Sequence, residues 1–559
     1  MHLARLVFVL LFAGFIFPLN MRAQAIRAPV PNPGAGKEAA VEPERSTSSV
    51  VAHYYTPHRG KPVRETLKVD ICVYGGTAGG VGAAVQTARL GRSVVLLENG
   101  AHLGGMTTGG LSYTDFGNKA AIGGIAREFY RRLGAKYGVE EEWTFEPHVA
   151  QQVIDEMAAE AKVPVRYHEY LKSVTKSGGR IDSIRMESGL TVEAQVFVDA
   201  TYEGDLMAKA GVSFHVGREG NELYHETLNG VQVRNLHQFE HPVDPYVVEG
   251  DPASGLLPGI DPSPLEPEGT GDKRVQAYNF RLCLTQDPEN RIPFARPRGY
   301  DRRQYTLLAR YLAAGWNGVF GKFDPIRGKK VDKNNHGATS TDFIGMSWTY
   351  PEADYRTRER IFQDHLRYQM GWFYFLANDP STPEAVRTRM STWGLCRDEF
   401  QDTGGWSFQL YVREARRMIS DYVMTEHNCR GEAVVEDPVG LASYTMDSHN
   451  CRRFVKDGKV MNEGDVQAGG LPPYPISYRS IVPKRTECEN LFVPICLSAS
   501  HIAYGSIRME PVFMELGQSC ALAADLAIRG HIAVQDVPYG DLRPLLEREK
   551  QVLNWPVER

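Results

Sequence analysis

This sequence predicts an α/β fold organised on a parallel βαβ unit, with an α+β domain inserted before the chain returns to that unit. Three observations predict it. A short apolar run, Val69 to Tyr74, meets a glycine-dense turn, Gly75 to Gly80, and then a run of small residues, Val81 to Leu90, that reads as a helix. A second apolar run, Ser93 to Leu97, closes on Glu98, 23 residues after Gly75. Leu103-Gly104-Gly105-Met106 follows that acid at once.

Each part has a physical task. Gly75 can take the tight turn leaving the first strand, and Gly80 lets the helix approach the sheet, so that the helix N-terminal N–H groups and dipole face a pyrophosphate. Glu98 stands where a carboxylate accepts hydrogen bonds from both ribose hydroxyls of an adenosine, a choice that disfavours a 2′-phosphate. Thr77 occupies the middle glycine position of G-x-G-x-x-G, so the bare motif is weak and its context carries the reading. Nothing in an NAD-binding domain requires the Gly104-Gly105 segment, whereas in FAD proteins of the glutathione-reductase-like fold such a turn passes beside the flavin. FAD is therefore favoured over NAD. The expected cofactor contacts are Gly75, Gly76, Thr77, Ala78, Gly80, Glu98, Gly104, Gly105 and Met106.

The chain opens on residues 1–25 with a basic n-region (His2, Arg5), an apolar run from Leu6 to Leu19 and a small-x-small site at Ala23-Gln24-Ala25, the pattern of a secretory signal peptide. The run is shorter than the ~20 residues a spanning helix needs, which disfavours the alternative of a retained anchor. Residues 26–68, rich in Pro, Gly, Ser and charge, read as a flexible linker. This predicts a periplasmic or extracellular protein with no stable membrane span after cleavage. With 42% hydrophobic and 23% charged residues in 559, the rest has the composition of one large globular unit. A net charge of -5 without a basic run argues against a nucleic-acid partner.

The eight cysteines include no C-x-x-C pair, so neither an iron–sulfur cluster nor a structural zinc site is signalled, and no metal is expected. In an exported chain disulfides are open; Cys429 with Cys451 and Cys488 with Cys496 are the nearest pairs in sequence. Cys72 and Cys520 read as buried thiols.

Residues 69–215 form the first part of the cofactor domain. Ala121 to Tyr137 and His148 to Lys162 read as helices, and strands are expected at Val165 to His168, Ile181 to Met186 and Val196 to Val198. The last runs into Asp199-Ala200-Thr201-Tyr202, where FAD proteins of this class have Asp-Ala-Thr-Gly returning to the cofactor, so Asp199, Ala200 and Thr201 are further candidate contacts. A polar loop closing the segment is the plainer alternative. Residues 216–479 lose the βαβ rhythm, gain aromatics, Pro and His, and read as a substrate or cap domain. Arg413, Arg416 and Arg417 would share one face of a helix, either solvated or gripping substrate oxygens.

Residues 480–545 return to the cofactor, with a C-terminal tail at 546–559. Glu489 to Leu497 reads as a strand, Ser498 to Arg508 as a loop, and a helix starts at Pro511, where proline is tolerated, and stops at Gly530. Gly517, Cys520, Ala521 and Ala524 make a small-residue stripe on it suited to close packing against the rest of the cofactor domain, and Gly517 is also counted among the cofactor-binding residues. The N-terminus of such a helix can stabilise negative charge on a reduced flavin.

Gly75-Gly76-Thr77 with Leu103-Gly104-Gly105-Met106, Val198-Asp199-Ala200-Thr201, and the run Ser498 to Pro511 together resemble the family of secreted bacterial FAD-dependent oxidoreductases, from about Val69 to the C-terminus. The resemblance implies the glutathione-reductase-like FAD fold, bound FAD and an inserted substrate domain; it implies no defined substrate. The flavoprotein subunit of heterodisulfide reductases is distantly similar, but its cluster-binding cysteine motifs are absent here.

Flavin-dependent oxidation of an alcohol or amine carbon needs hydride delivery to the ring, a base for the O–H or N–H proton, and donors for developing negative charge. His501 is the expected base or proton relay, Arg508 the group that stabilises reduced flavin or orients substrate, and His449 the competing base; a packed His501 that only hydrogen-bonds backbone is the plainer reading. His102, just before the Gly-Gly turn, is the one residue placed for a covalent flavin link, against the expectation of non-covalent FAD. No second glycine-rich unit for NAD(P)H follows, which points to oxygen, a quinone or a small carrier as the unknown electron acceptor. Aromatic-rich loops and export favour a small or carbohydrate-like substrate. The competing class is a binding component of an extracellular complex in which flavin is structural or lost.

Overall fold

The glycine-rich unit forms the middle of a parallel sheet. In the computed structural model, which describes residues 50–556, β1 (Thr66–Tyr74) lies between β2 (Val94–Leu97) and β6 (Thr191–Asp199), parallel to both. β3 (Val165–Arg166) extends the parallel order beyond β2, while β4 (Leu171–Ser177) and β5 (Arg180–Met186) fold back on β6 as an antiparallel meander. The order is β3-β2-β1-β6-β5-β4, and Leu491–Phe492 joins β6 in parallel, returning the far end of the chain to the sheet centre. Buried on both faces, the second half of β1, Ile71 to Tyr74, and β2 read as unbroken apolar runs rather than as alternation.

α1 (Ala78–Arg89) follows the turn with Thr77 as its N-cap. Ten of its residues are buried, because the Glu510–Gly530 helix crosses it at backbone distance. A Cβ on Gly79 would stand 2.8 Å from the Phe513 carbonyl, and one on Gly517 would overlap the Gly79 carbonyl. The small-residue stripe therefore serves helix packing, and Gly517, expected on the cofactor, lies inside this crossing instead. α2 (Gly124–Tyr137) and α3 (Pro147–Glu160) cover the same face.

The inserted region carries an antiparallel five-stranded sheet, in the order Arg291–Pro293, Gly394–Cys396, Leu282–Thr285, Lys330–Lys333, Phe323–Ile326, and the 24-residue helix Tyr355–Asn378 capped by Asp354. One hydrophobic core runs from α1 through this helix to the Glu510–Gly530 helix, so the two parts fold as one body. Among the described residues no helix is long and apolar enough to cross a membrane. The signal-peptide segment lies outside the described residues.

Several expectations are corrected. Part of the supposed linker is docked: Ala52 and Tyr55 are buried and the Tyr54 and Tyr55 amides donate to Glu359 at 2.8 and 2.9 Å, while residues 58–64 are exposed and β1 starts at Thr66 rather than Val69. Ser498 to Arg508 is not a loop, since Ser500 caps a helix at His501–Ile507; of Glu489 to Leu497 only Leu491–Phe492 is strand. Arg413, Arg416 and Arg417 share no helix. They sit in an extended segment that pairs Arg416–Met418 with Phe214–Val216, and each buried guanidinium reaches a different carboxylate: Asp342, Asp205 and Glu219. Burial makes isolated charge too costly, so acid partners dictate where each arginine points. The tail is anchored by Leu546, Leu553 and Gln551, whose amide donates to the Glu515 carbonyl at 3.0 Å. All eight cysteines are free thiols, and neither pair nearest in sequence meets.

Candidate functional site

The turn after β1 has the geometry its residues demand. Gly75 sits at φ +104°, and a Cβ there would be 2.6 Å from the Ala200 backbone. Thr77 Oγ1 accepts the Gly80 N–H at 3.2 Å and donates to the Ala200 carbonyl at 2.7 Å, tying the turn to the end of β6. Glu98 accepts the Gly76 and Gly100 amides at 2.6 and 2.5 Å, while burial pushes its carboxyl up to about 7. The Gly104 amide donates to the Gly76 carbonyl at 2.7 Å, so the second glycine turn is laid directly against the first.

Gly75, Thr77, Glu98, Gly105 and Thr201 line one cleft. Its cover is formed by Val51 to Thr56 on one side and Asp402 to Leu410 on the other. Neither was legible in the sequence: the first was read as linker, and in the second Asp402 and Gly404-Gly405 stand outside any βαβ pattern. Asp199 does not reach the cleft. Its two oxygens accept the Thr201 amide and hydroxyl and the Met207 amide, which shapes the turn, and burial raises it to about 6. Ala78 and Met106 are buried beside the turns. His102 lines the cleft, with Nε2 2.8 Å from Asp402 and its ring stacked 4.1 Å from Phe408.

At the inner end the tyrosine that replaces the expected glycine acquires a role. Tyr202 OH accepts the Met106 amide at 2.9 Å and donates to Glu510 at 2.8 Å; Thr107 Oγ1 donates to the same carboxyl at 3.0 Å. Gly105 has φ +55° and faces this hydroxyl, leaving no room for a Cβ. Glu510, wholly buried in the first turn of the Glu510–Gly530 helix, is pushed up by that burial to about 7. It was missed because a single acid before a proline looks like an ordinary helix start.

The three candidate catalytic residues converge. Arg508 donates to Tyr411 OH at 2.8 Å and to Asp447 at 3.0 Å, and the Asp447 carboxylate stands 3.4 Å from His449 Nε2. His449 Nδ1 meets Asp342 at 2.8 Å, and Asp342 also pairs with Arg413 at 3.1 Å. Although burial pushes Asp342 and Asp447 up, Arg413 and His449 hold the first low, and His449 and Arg508 the second. His501 lies one layer deeper, with Nδ1 on Glu414 at 2.8 Å and Nε2 on Ser448 Oγ at 3.0 Å. Burial works against the Glu414 charge, but His501 and Arg417 bring it to about 2.

The two histidines differ in their surroundings. Both His501 nitrogens are held at hydrogen-bond distance by Glu414 and Ser448, whereas His449 lies between two carboxylates, close to Asp342 and 3.4 Å from Asp447. Around them the side-chain N–H groups of Gln276 (Nε2), Arg281 (Nη1), Arg413 (Nε) and Arg508 (Nε) are buried without a hydrogen-bond partner. Unpaired buried donors are rare, and their clustering marks where a ligand's oxygens and nitrogens belong. Tyr411 joins this cluster to Gln409 and Leu410 on the cleft wall.

A glycine-turned βαβ unit, an acid closing its second strand, and a cleft lined by both define a Rossmann-like dinucleotide-binding fold with an inserted β-rich region. The family model described as FAD dependent oxidoreductase matches residues 70–546, and the chain belongs to that family. FAD is its cofactor, and the residues present fit it: Glu98 for the ribose and the Gly75–Gly80 turn for the pyrophosphate. No curated protein matches the chain. Among solved structures, it is similar to the L-amino acid deaminase from Proteus vulgaris, at 14% identity over 29% of this chain and 54% of that one, with a TM-score of 0.23. The L-proline dehydrogenase from P. horikoshii matches at 15% identity over 28% and 59%, with a TM-score of 0.23. For THI4 of Thermovibrio ammonificans the figures are 21%, 27%, 66% and 0.21. The chain spans about half to two thirds of the length of these structures.

Proposed function

We propose that this protein is an exported FAD-dependent dehydrogenase or oxidase of glutathione-reductase-like fold that oxidises a C–OH or C–N bond of a small or carbohydrate-like substrate. The observation that carries the reading is the buried His449–Asp342 pair, joined through Asp447 to Arg508 and set among unpaired donors, with Tyr411 linking the cluster to Gln409 and Leu410 on the cleft wall. FAD, when bound, supplies the hydride acceptor. His449 Nε2 takes the hydroxyl or amine proton, and Asp342 holds the ring orientation through Nδ1 and balances the charge that the ring gains. Arg508, held between Tyr411 and Asp447, offers its free Nε–H to substrate or to negative charge on the reduced cofactor. His501, with both nitrogens engaged, positions the Ser448–His449 segment through Ser448.

Asp/Arg pairs beside tyrosines are also what polyhydroxylated ligands select, since carboxylates and guanidinium groups bind adjacent hydroxyls in pairs. Asp115, in hydrogen bond with Tyr444 at 3.0 Å, and Asp447 keep partial exposure and offer such acceptors. The test is anaerobic bleaching of the flavin bands by a panel of sugars, hydroxy acids and amino acids. Bleaching by a polyol that is lost in His449→Ala but kept in His501→Ala supports the assignment. Reduction unaffected by His449→Ala, with the cofactor retained, refutes it. Acid precipitation of the coloured protein should release the flavin, as the engaged His102 predicts.

A further inference from the structure

We propose that Cys283 and Cys396 form a disulfide that staples the inserted sheet behind the cofactor cleft. The strands Leu282–Thr285 and Gly394–Cys396 are antiparallel, with Leu284 opposite Leu395 and Thr285 opposite Gly394. One step further along this register Cys283 faces Cys396, and the two Sγ atoms lie 3.6 Å apart. Among the described residues no other cysteine sulfurs are in contact. Directly opposed residues of an antiparallel pair have Cα atoms about 4.5–5.5 Å apart, inside the range a disulfide spans, so the bond needs side-chain rotation and no movement of the sheet.

The surroundings favour the oxidised form. Both sulfurs are buried in a small apolar cluster with Phe400, Ile326 and Phe408, where the thiols' hydrogen-bonding partner is each other. Burial and the neighbouring sulfur push the Cys283 thiol up, so the pair is inert once the sheet has closed and the bond forms while it assembles. Joining positions 113 residues apart closes a long loop of the unfolded chain, the situation in which a cross-link restricts that state most. Segment 397–410, which leaves Cys396, supplies Asp402, Thr403, Phe408, Gln409 and Leu410 to the cleft wall, and Phe408 touches both the cysteine cluster and His102. The staple therefore pins one wall of the cofactor site.

The reaction balances with a small disulfide such as oxidised glutathione. One cysteine thiolate attacks it, releasing one glutathione thiol; the second attacks the mixed disulfide, releasing the other. Two protons and two electrons leave the protein pair, and the two electrons reduce the glutathione disulfide.

The full chain, denatured and reduced, is refolded with FAD in a glutathione redox buffer; remaining thiols are alkylated in denaturant, and the protein is digested without reductant for mass spectrometry. Protein isolated from an oxidising secretory compartment and never unfolded is mapped in parallel. The expected result in both is one cross-linked peptide pair carrying Cys283 and Cys396, two hydrogen atoms lighter than the thiols, with the other six cysteines alkylated. Alkylation of both residues, or a bond from either to another cysteine, overturns the proposal. A Cys283→Ser/Cys396→Ser variant should bind FAD several-fold more weakly than the oxidised protein and show no response to reductant. If wild-type FAD affinity is equally indifferent to reduction, the staple does not act on the cleft.

Discussion

His449 and Asp342 meet through Nδ1 and a carboxylate oxygen at 2.8 Å, with Nε2 turned toward Asp447 at the longer distance of 3.4 Å. General-base catalysis contributes about 10²–10⁴ in rate. His449→Ala should therefore lower anaerobic flavin reduction by about a hundredfold or more while the visible spectrum is kept. Asp342→Asn should lose a comparable factor, because an amide can hold the wrong tautomer. Stopped-flow reduction separates both from His501→Ala, whose main effect should be a lower melting temperature, since it takes one of the buried partners from Glu414 and leaves Arg417 alone to balance it.

Glu98 ties together the two glycine-bearing segments that the cofactor must pass. Glu98→Ala removes the acceptor from the Gly76 and Gly100 amides as well as from the ribose. Hydrogen bonds to a charged group are worth about 1.5–3 kcal/mol, so FAD affinity should fall about 10- to 100-fold in a titration of the apoprotein.

Glu510 gives a pH signature. Its carboxyl rises from the ordinary value near 4.5 to about 7 on burial, so between those values the folded state holds a proton that the unfolded state has released. Its contribution to stability is full below about 4.5 and is lost as pH rises through about 7. The apoprotein melting temperature should fall over that window, and Glu510→Gln, which keeps the shape without the titration, should flatten the decline. An unchanged slope in Glu510→Gln would mean the proton is held elsewhere.

Glu359 holds the strap over the cleft, accepting the Tyr54 and Tyr55 amides and meeting His53 Nδ1 at 2.7 Å. Glu359→Ala should free Val51 to Thr56 and speed FAD release about tenfold, at the scale of one or two lost hydrogen bonds. Release is read as the return of free-flavin fluorescence after dilution.

The cofactor unit was legible because its causes are local. Gly75, Thr77 and Glu98 lie within one βαβ stretch, where left-handed glycine, N-cap and strand-end acid each follow from spacing. Legibility failed where a residue's partner is remote. The periodicity of Arg413, Arg416 and Arg417 suits a helix, yet each guanidinium had to find a buried acid far away in sequence, and that need outweighed helical spacing. Residues 50–65 look like linker because strap contacts leave no periodic trace.

By itself the sequence determined the βαβ unit, its preference for a dinucleotide carrying a free ribose diol, and the residues His449, His501 and Arg508 as candidates for chemistry. Only the tertiary structure decided how each histidine is held, since that depends on Asp342, Glu414, Ser448 and Asp447 arriving from separate segments. It also decided that Gly517 packs a helix, that Asp199 shapes a turn, and that Cys283 faces Cys396. The physical reason is range: hydrogen-bonded turns are settled by neighbours in the chain, whereas the partner of a buried charge or thiol is settled by whichever segments the core brings together.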